Sequence, residues 1–386
     1  MSYLHFDVLS QSISKKKNLP CGDVFRIEKN REETLVVLVD GMGSGIKANI
    51  FANFYCSKFI ELYMGEEFSI RESFKQIVDI LHQARGNDSK PYGVISVVRI
   101  LNNGETTILN YEMPNPIYIA RNNHATILKG RSFSLSKEII NEINCYIEED
   151  ESLLLFSDGI TQSGMGNGYI KGWQNEGVKN FTNRYLLNNK NVKNFLDSLI
   201  NKSLKISGEK HRDDLTALLI HGRKGKVLNV LTGPPYNKDN DKKVVDNFWK
   251  RDGYKAVCGS TTAEIVADKL NKNIKIEENP KNLAAPPRYY IKDINIVTEG
   301  AVTLNQVFHI IDENMENYEL DSGVTQLNYF FNMVDKINFI VGRAKNPAHK
   351  KNIIFKQRGI LKREKIIPKI AAKLKEKGKV VNIEYV

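Results

Sequence analysis

The sequence predicts an α+β fold over residues 1–224, followed over 225–386 by a smaller α/β domain with a mainly parallel sheet. Three observations carry this. In the first part, long apolar runs end in Asp-Gly and are separated by hairpin turns and two amphipathic segments. Beyond Lys226 the pattern becomes strand, small-residue loop and helix, three times over, which is how parallel sheets are built. At 386 residues the chain also has the length expected of about two domains of roughly 150 residues each.

The most informative segment is Leu35-Val36-Val37-Leu38-Val39-Asp40-Gly41-Met42-Gly43-Ser44-Gly45. A continuous β-branched and leucine run reads as a strand covered on both faces. It delivers Asp40 into a glycine-rich turn, where an ionised acid needs a cation or strong donors. The glycines let the backbone pass close to whatever Asp40 binds. A dinucleotide fingerprint fails here, because its third glycine would fall on Ile46 and an aspartate just before the first would repel a pyrophosphate.

The segment after Asp40 reads as a helix with Ile46, Ile50, Phe51, Phe54 and Tyr55 on one apolar stripe. Ser69-Ile70-Arg71-Glu72 is a capping box, followed at helical spacing by Ile70, Phe74, Ile77, Val78 and Leu81. Gly93 to Ile100, the turn Asn102-Asn103-Gly104, and Glu105 to Tyr111 form a hairpin. Pro116 to Ala120 and Ala125 to Lys129 form another. Asn167 to Asn194 is polar and is expected to be a helix or flap beside the acids.

Two later segments repeat the Asp40 design. Ser152 to Phe156 is an apolar run ending in Ser157-Asp158-Gly159, and Asp213-Asp214 opens the run Leu215 to Ile220. Earlier, Gly22-Asp23 stands before Val24 to Ile27. Each Asp-Gly alone is an ordinary turn, and Asp213-Asp214 alone is a solvated pair. Together, acids at strand ends far apart in sequence can converge only through a sheet, and a shared metal site explains them at once. Oxygen donors without Cys or His pairs favour Mg²⁺ or Mn²⁺ over zinc.

The ordered set Gly22-Asp23, Asp40-Gly41-Met42-Gly43, Ser157-Asp158-Gly159 and Asp213-Asp214-Leu215-Thr216 resembles the metal-dependent PP2C-type serine/threonine phosphatases, in their SpoIIE-like bacterial branch, over roughly the first 220 residues. The resemblance implies an αββα sandwich and two metal ions, Mn²⁺ or Mg²⁺. It implies Asp40 as the carboxylate bridging both ions, the Gly41 carbonyl as a ligand of the second, and Asp158 and Asp213 as ligands of the first. Asp23 would serve the second ion and Asp214 would stand behind the ligands. Asp40, Asp158 and Asp213 are thus the catalytic candidates. The arginine that binds phosphate in many eukaryotic relatives has no counterpart near Asp23, where Lys15, Lys16 and Lys17 precede it. His211 is read as a polar loop residue ahead of a general acid, since nothing in the sequence supplies its partner.

No apolar run approaches the roughly 20 residues that span a membrane, and the amino terminus lacks a signal-peptide layout, so a cytoplasmic protein without membrane attachment is expected. Cys21, Cys56, Cys145 and Cys258 are isolated, as reduced thiols would be. A redox role for Cys21, beside the proposed site, has no support. The net charge of +11 is concentrated between Arg343 and Lys379, where fourteen Lys or Arg face only Glu364 and Glu376. In the helix expected from Leu361 to Lys377, Ile366, Ile367, Ile370, Ala371 and Leu374 share one face, so the lysines are a solvated outer face. Stacking aromatics are sparse there and nucleic acid is disfavoured.

The run His221-Gly222-Arg223-Lys224-Gly225-Lys226 marks the domain boundary. In the second domain, Lys255 to Cys258 leads into Gly259-Ser260-Thr261-Thr262 and a helix, Ile294 to Val297 into Thr298-Glu299-Gly300 and a helix, and Ile337 to Val341 into Gly342-Arg343-Ala344-Lys345. Gly259, Ser260, Thr261 and Thr262 form a candidate anion site, with Arg343 and Lys345 tipping it towards a small phosphate- or carboxylate-bearing ligand; the rival reading is an ordinary helix cap. The expected activity is hydrolysis of phosphoserine or phosphothreonine on a phosphorylated regulatory protein, in bacterial signalling. The alternative is a signalling scaffold with a weak phosphatase fold, whose second domain binds the small anionic ligand or a partner. A homodimer stays open.

Overall fold

A computed structural model describes residues 3–65, 68–84, 92–135, 137–188, 194–208, 212–278, 286–314, 319–344 and 360–386. The chain divides into two compact units: Leu4–Glu28 with Glu32–Lys224, and Gly225–Val386, to which the short segment Lys29–Arg31 also belongs. His211 and Lys345 lie outside the described residues.

The first unit contains two sheets. One has the order β1 (Leu4–Ile13), β11 (Leu215–Lys224), β10 (Ser152–Phe156), β6 (Ile117–Ile119), β7 (Ala125–Ile127). The other runs β2 (Asp23–Lys29), β3 (Glu33–Gly41), β4 (Gly93–Leu101), β5 (Glu105–Tyr111), β9 (Glu138–Tyr146), β8 (Arg131–Leu135). Residue alternation along the strands builds three apolar layers. Val36 and Leu38 of β3 meet Leu153, Leu155, Leu218 and Ile220 of the facing sheet. Leu35, Val37 and Val39 lie instead under α1 (Ile46–Met64) and α2 (Ile70–Ala84). Leu154, Phe156, Ala217 and Leu219 lie under α4 (Gln174–Asn188) and α5 (Phe195–Ser207). The result is an αββα sandwich.

Local signals behave as their chemistry requires. In the box opening α2, the Ser69 N–H donates to Glu72 Oε2 at 2.9 Å and the Glu72 N–H to Ser69 Oγ at 3.3 Å. Both predicted hairpins pair, β4 with β5 and β6 with β7. Within the segment Asn167 to Asn194, α4 is the helix. Two expectations are corrected. The α1 stripe splits: Ala48, Ala52, Tyr55, Cys56 and Phe59 are buried, whereas Ile46, Ile50 and Phe54 fall on the opposite side at 100° per residue and are exposed. The boundary run is also shorter than read, because His221 to Lys224 lie within β11, paired to β1 with Leu4 opposite Lys224. Arg223 there is held by the Asp7 carboxylate at 2.6 Å, a use for a basic residue that composition does not reveal.

The second unit is a seven-stranded sheet ordered β14 (Ile274–Ile276), β15 (Tyr289–Ile291), β16 (Ile296–Thr298), β13 (Tyr254–Cys258), β12 (Val227–Thr232), β17 (Lys336–Val341), β18 (Val380–Tyr385). The five strands from β16 to β18 are parallel. One face packs on α8 (Ala301–Ile310), α9 (Gly323–Met333) and the helix Arg363–Glu376, which buries Ile366, Ile367, Ile370, Ala371 and Leu374. The other packs on α6 (Asp241–Lys250) and α7 (Ser260–Lys269). No helix among the described residues is long and apolar enough to cross a membrane.

Candidate metal centre

Strand alternation decides where the acids point. On β3 the row Val36, Leu38 faces the inter-sheet core, and the next member of that row is Asp40. The same count carries Phe25 and Ile27 back to Asp23, Leu153 and Leu155 on to Ser157, and Ile220 and Leu218 back to Thr216 and Asp214. All five therefore lie on inward rows at one end of the sandwich, where the apolar filling stops. Asp158 opens the single-turn α3 (Asp158–Thr161) just beyond β10.

Backbone hydrogen bonds hold this end closed. The Ser157 N–H donates to Thr216 O at 2.9 Å and the Thr216 N–H to Ser157 Oγ at 3.1 Å. Gly41 has no room for a side chain, since a Cβ there would stand 2.6 Å from Ala48 O. The buried Asp214 carboxylate accepts the Lys15 N–H at 2.5 Å and the Gly22 N–H at 2.6 Å. Both of its oxygens thus tie down the loop that precedes Asp23. Asp213 Oδ1 accepts the Asp214 N–H at 2.9 Å.

The remaining acids crowd one another. Burial pushes the Asp40 carboxyl well above the usual carboxylate range, and Asp23, Asp158 and Asp213 push it further. Burial also raises Asp158, with Asp213 adding to it. A side-chain hydrogen bond between Asp40 and Asp158 raises Asp40 further and lowers Asp158. Asp23 is pushed up to about 7 by burial, against the Ser157 and Thr216 hydroxyls beside it and with Asp214 and Asp213 reinforcing the shift. Two buried oxygens, Asp23 Oδ2 and Asp158 Oδ1, have no hydrogen-bond partner, while Asp158 Oδ2 accepts from the Gln162 amide at 2.6 Å.

A buried all-oxygen cluster with orphaned oxygens and mutual repulsion fits hard divalent cations, which would supply the missing counter-charge. Among the described residues no three His, Cys, Asp or Glu side chains already stand around one point fit for an ion. Cys21 is a neutral thiol here, pushed up to about 12 by burial and then by Asp23 and Asp214. Sequence reasoning missed Ser157, Thr216 and Gln162 as the side chains that orient the acids; the inward row leading to Ser157 and Thr216 was the available signal.

In the second unit, Gly259 precedes α7 at φ +128°, and the Thr262 hydroxyl accepts the Gly233 N–H at 2.9 Å. The Arg343 guanidinium lies 5.1 Å from the Tyr385 ring centre, and the Arg343 backbone N–H donates to Val386 O at 3.0 Å. The strand order reverses between β12 and β17, where α/β sheets bind ligands. There Gly233 faces Arg363 with no space for a Cβ, and Arg363 donates to Ala344 O at 2.6 Å.

The family model for stage II sporulation protein E (SpoIIE) matches residues 30–223, a span that includes Asp40, Asp158, Asp213 and Asp214 and leaves Asp23 just outside. Among solved structures the chain is similar to the phosphatase domain of the cell fate determinant SpoIIE from Bacillus subtilis, with 14% identity, a TM-score of 0.45, and 58% of this chain and 95% of that chain covered. It is similar to the RsbU and RsbW domains of Rv1364c from Mycobacterium tuberculosis, with 14% identity, a TM-score of 0.49, and 69% and 74% covered. It is also similar to the serine/threonine phosphatase Stp1 from Staphylococcus aureus, with 16% identity, a TM-score of 0.42, and 56% and 95% covered. No curated protein matches the sequence.

Proposed function

Because the chain belongs to the SpoIIE family of PP2C-type phosphatases, whose model spans residues 30–223, we propose that its first unit hydrolyses phosphoserine or phosphothreonine on a phosphorylated regulatory protein with the help of two Mn²⁺ or Mg²⁺ ions. The observation that carries the reading is the carboxylate cluster itself: Asp23, Asp40 and Asp158, buried and acting on one another, with two buried oxygens without partners. Asp23, Asp40, Asp158 and Asp213, with the Gly41 carbonyl, would hold the ions. Bound there, divalent cations supply Lewis acidity towards the phosphoryl oxygens and the attacking water.

The protein's own contribution is placement. Asp40 is aimed by the β3 row, Asp158 is oriented through Gln162 so that one oxygen stays available, and Asp23 is set by the loop that Asp214 anchors. Asp214, with both oxygens engaged by backbone, acts as a positioning residue. The Ser157 and Thr216 hydroxyls beside the acids are engaged with Asp23 and the Cys21 thiol is held neutral, an arrangement that leaves the attack to water in this reading.

The test is hydrolysis of p-nitrophenyl phosphate and of a phosphoserine peptide, with Mn²⁺, with Mg²⁺ and with excess EDTA. Activity with either ion that disappears on chelation and in Asp40→Asn supports the reading. Undiminished activity in EDTA overturns the metal assignment, and inert protein under all conditions favours the scaffold reading. For the second unit we propose a small anionic ligand at the Gly259–Thr262 loop, supported by its position at the strand ends; a thermal shift with inorganic phosphate tests it.

A further inference from the structure

Five large apolar side chains beside the carboxylate cluster are exposed: Leu19 at 37%, Met42 at 69%, Ile46 at 58%, Ile50 at 58% and Phe54 at 49%. They form one surface. Ile46, Ile50 and Phe54 follow each other at four-residue steps along the outer side of α1. Leu19 closes against the start of that helix, since a Cβ on Gly45 would lie 3.0 Å from Leu19 Cδ1, and the Asn49 side chain donates to Cys21 O at 2.8 Å. The buried side of α1 already supplies its core contacts, so packing does not require a second apolar side. Exposed apolar surface of this kind marks an interaction site.

The surface begins two residues after Asp40, so a polypeptide lying on it has its neighbouring side chains within reach of the cluster. Its rim is basic. Lys15, Lys16, Lys17 and Lys47 are exposed, and the first turn of α1 carries no acid. We propose that this surface docks the phosphoprotein substrate, an acidic partner that lays an apolar face on Ile46, Ile50 and Phe54 and its acidic flank on the lysines. The inference rests on the phosphatase reading above. A second copy is a poorer occupant, because a two-fold interface here would bring the same lysines against each other.

The experiment uses the full chain, with phosphocasein as the protein substrate and p-nitrophenyl phosphate as the small one. The triple variant Ile46→Ser, Ile50→Ser, Phe54→Ser should keep kcat/KM for the small substrate within about twofold and lose about tenfold or more towards phosphocasein, as loss of interface anchors does. Ile46→Gln with Ile50→Gln, which retains helix propensity and adds no charge, should give the same split if the serine variant fails to fold. Lys16→Glu with Lys17→Glu should weaken phosphocasein hydrolysis at low salt and matter less at high salt, where exposed charges are screened. Undiminished phosphocasein hydrolysis, or equal loss towards both substrates in folded variants, overturns the docking surface alone. So does a wild-type dimer that the triple variant converts to monomer. Wild-type protein inert towards both substrates removes the phosphatase reading and this proposal with it.

Discussion

The Gly22 N–H donates to Asp214 Oδ2 at 2.6 Å across 192 residues of chain. A carboxylate next in sequence to one candidate ligand thereby positions another, Asp23, on a different sheet. Gly22 has no room to change: a Cβ there would stand 2.8 Å from Asp214 Oδ2 and 3.0 Å from Ala48 Cβ. Gly22→Ala is expected to cost about 1–3 kcal/mol, measured by urea unfolding, and to lower turnover of p-nitrophenyl phosphate through the displaced Asp23. Wild-type turnover in this variant would show that the loop does not set Asp23.

Asp40→Asn is expected to abolish turnover without destabilising the metal-free protein. The carboxylate is raised by burial and by three neighbouring acids, so replacing it with a neutral isostere removes repulsion. Thermal unfolding in EDTA checks this. A melting temperature well below wild type would mean that Asp40 makes a structural contact its neutral analogue cannot replace.

Stability should depend on pH with opposite signs at two places. Asp23 sits at about 7 in the folded, metal-free chain and near 4 when unfolded, so the folded state holds more protons between these values. Stability without metal should therefore fall as pH rises from about 4 to 7. Saturating Mn²⁺ should flatten that limb. Asp7 behaves oppositely: burial pushes it up, but His5 and Arg223 outweigh this and hold it far below the usual range. Its stabilisation is present above about pH 4 and is lost as pH falls below that. Melting temperatures across a pH series, in EDTA and in Mn²⁺, measure both limbs.

Cys21 should resist alkylation. Burial and two adjacent carboxylates hold it as a thiol up to about 12, and the thiolate is the reactive form. Native protein in EDTA at pH 8 should label at Cys21 far more slowly than unfolded protein, read by mass spectrometry of the digested chain. Rapid labelling would reopen a redox role.

The αββα sandwich was legible through the family resemblance that implies it, carried by the acids that end β3 and β10 and open β11. The parallel sheet was legible from β13, β16 and β17 each leading into a helix. What escaped is two-dimensional. β1, in which only His5 and Phe6 are buried, carries little signal until β11 is set beside it, and the basic run in β11 reads as a linker until Asp7 is seen across the ladder. On α1 the apolar residues occupy both sides, and periodicity alone cannot say which side meets the sheet. At the site, the end of an apolar run shows where an acid stands. Which of its oxygens is already taken, as in Asp214, depends on Lys15 and Gly22 arriving from elsewhere.

The alternation that carries Asp23, Asp40, Ser157 and Thr216 onto inward rows also governs how this chain can change length. Exchanging one apolar residue for another within β3 leaves the row count intact. A single-residue insertion between Leu35 and Val39 would turn Asp40 away from the facing sheet and place a helix-facing side chain at the cluster, whereas a two-residue insertion would restore its direction while moving it outward by one row. The spacing from strand to acid is thus a matter of odd and even, and the loops beyond Gly43 and Gln162 are where added length does least harm to the cluster.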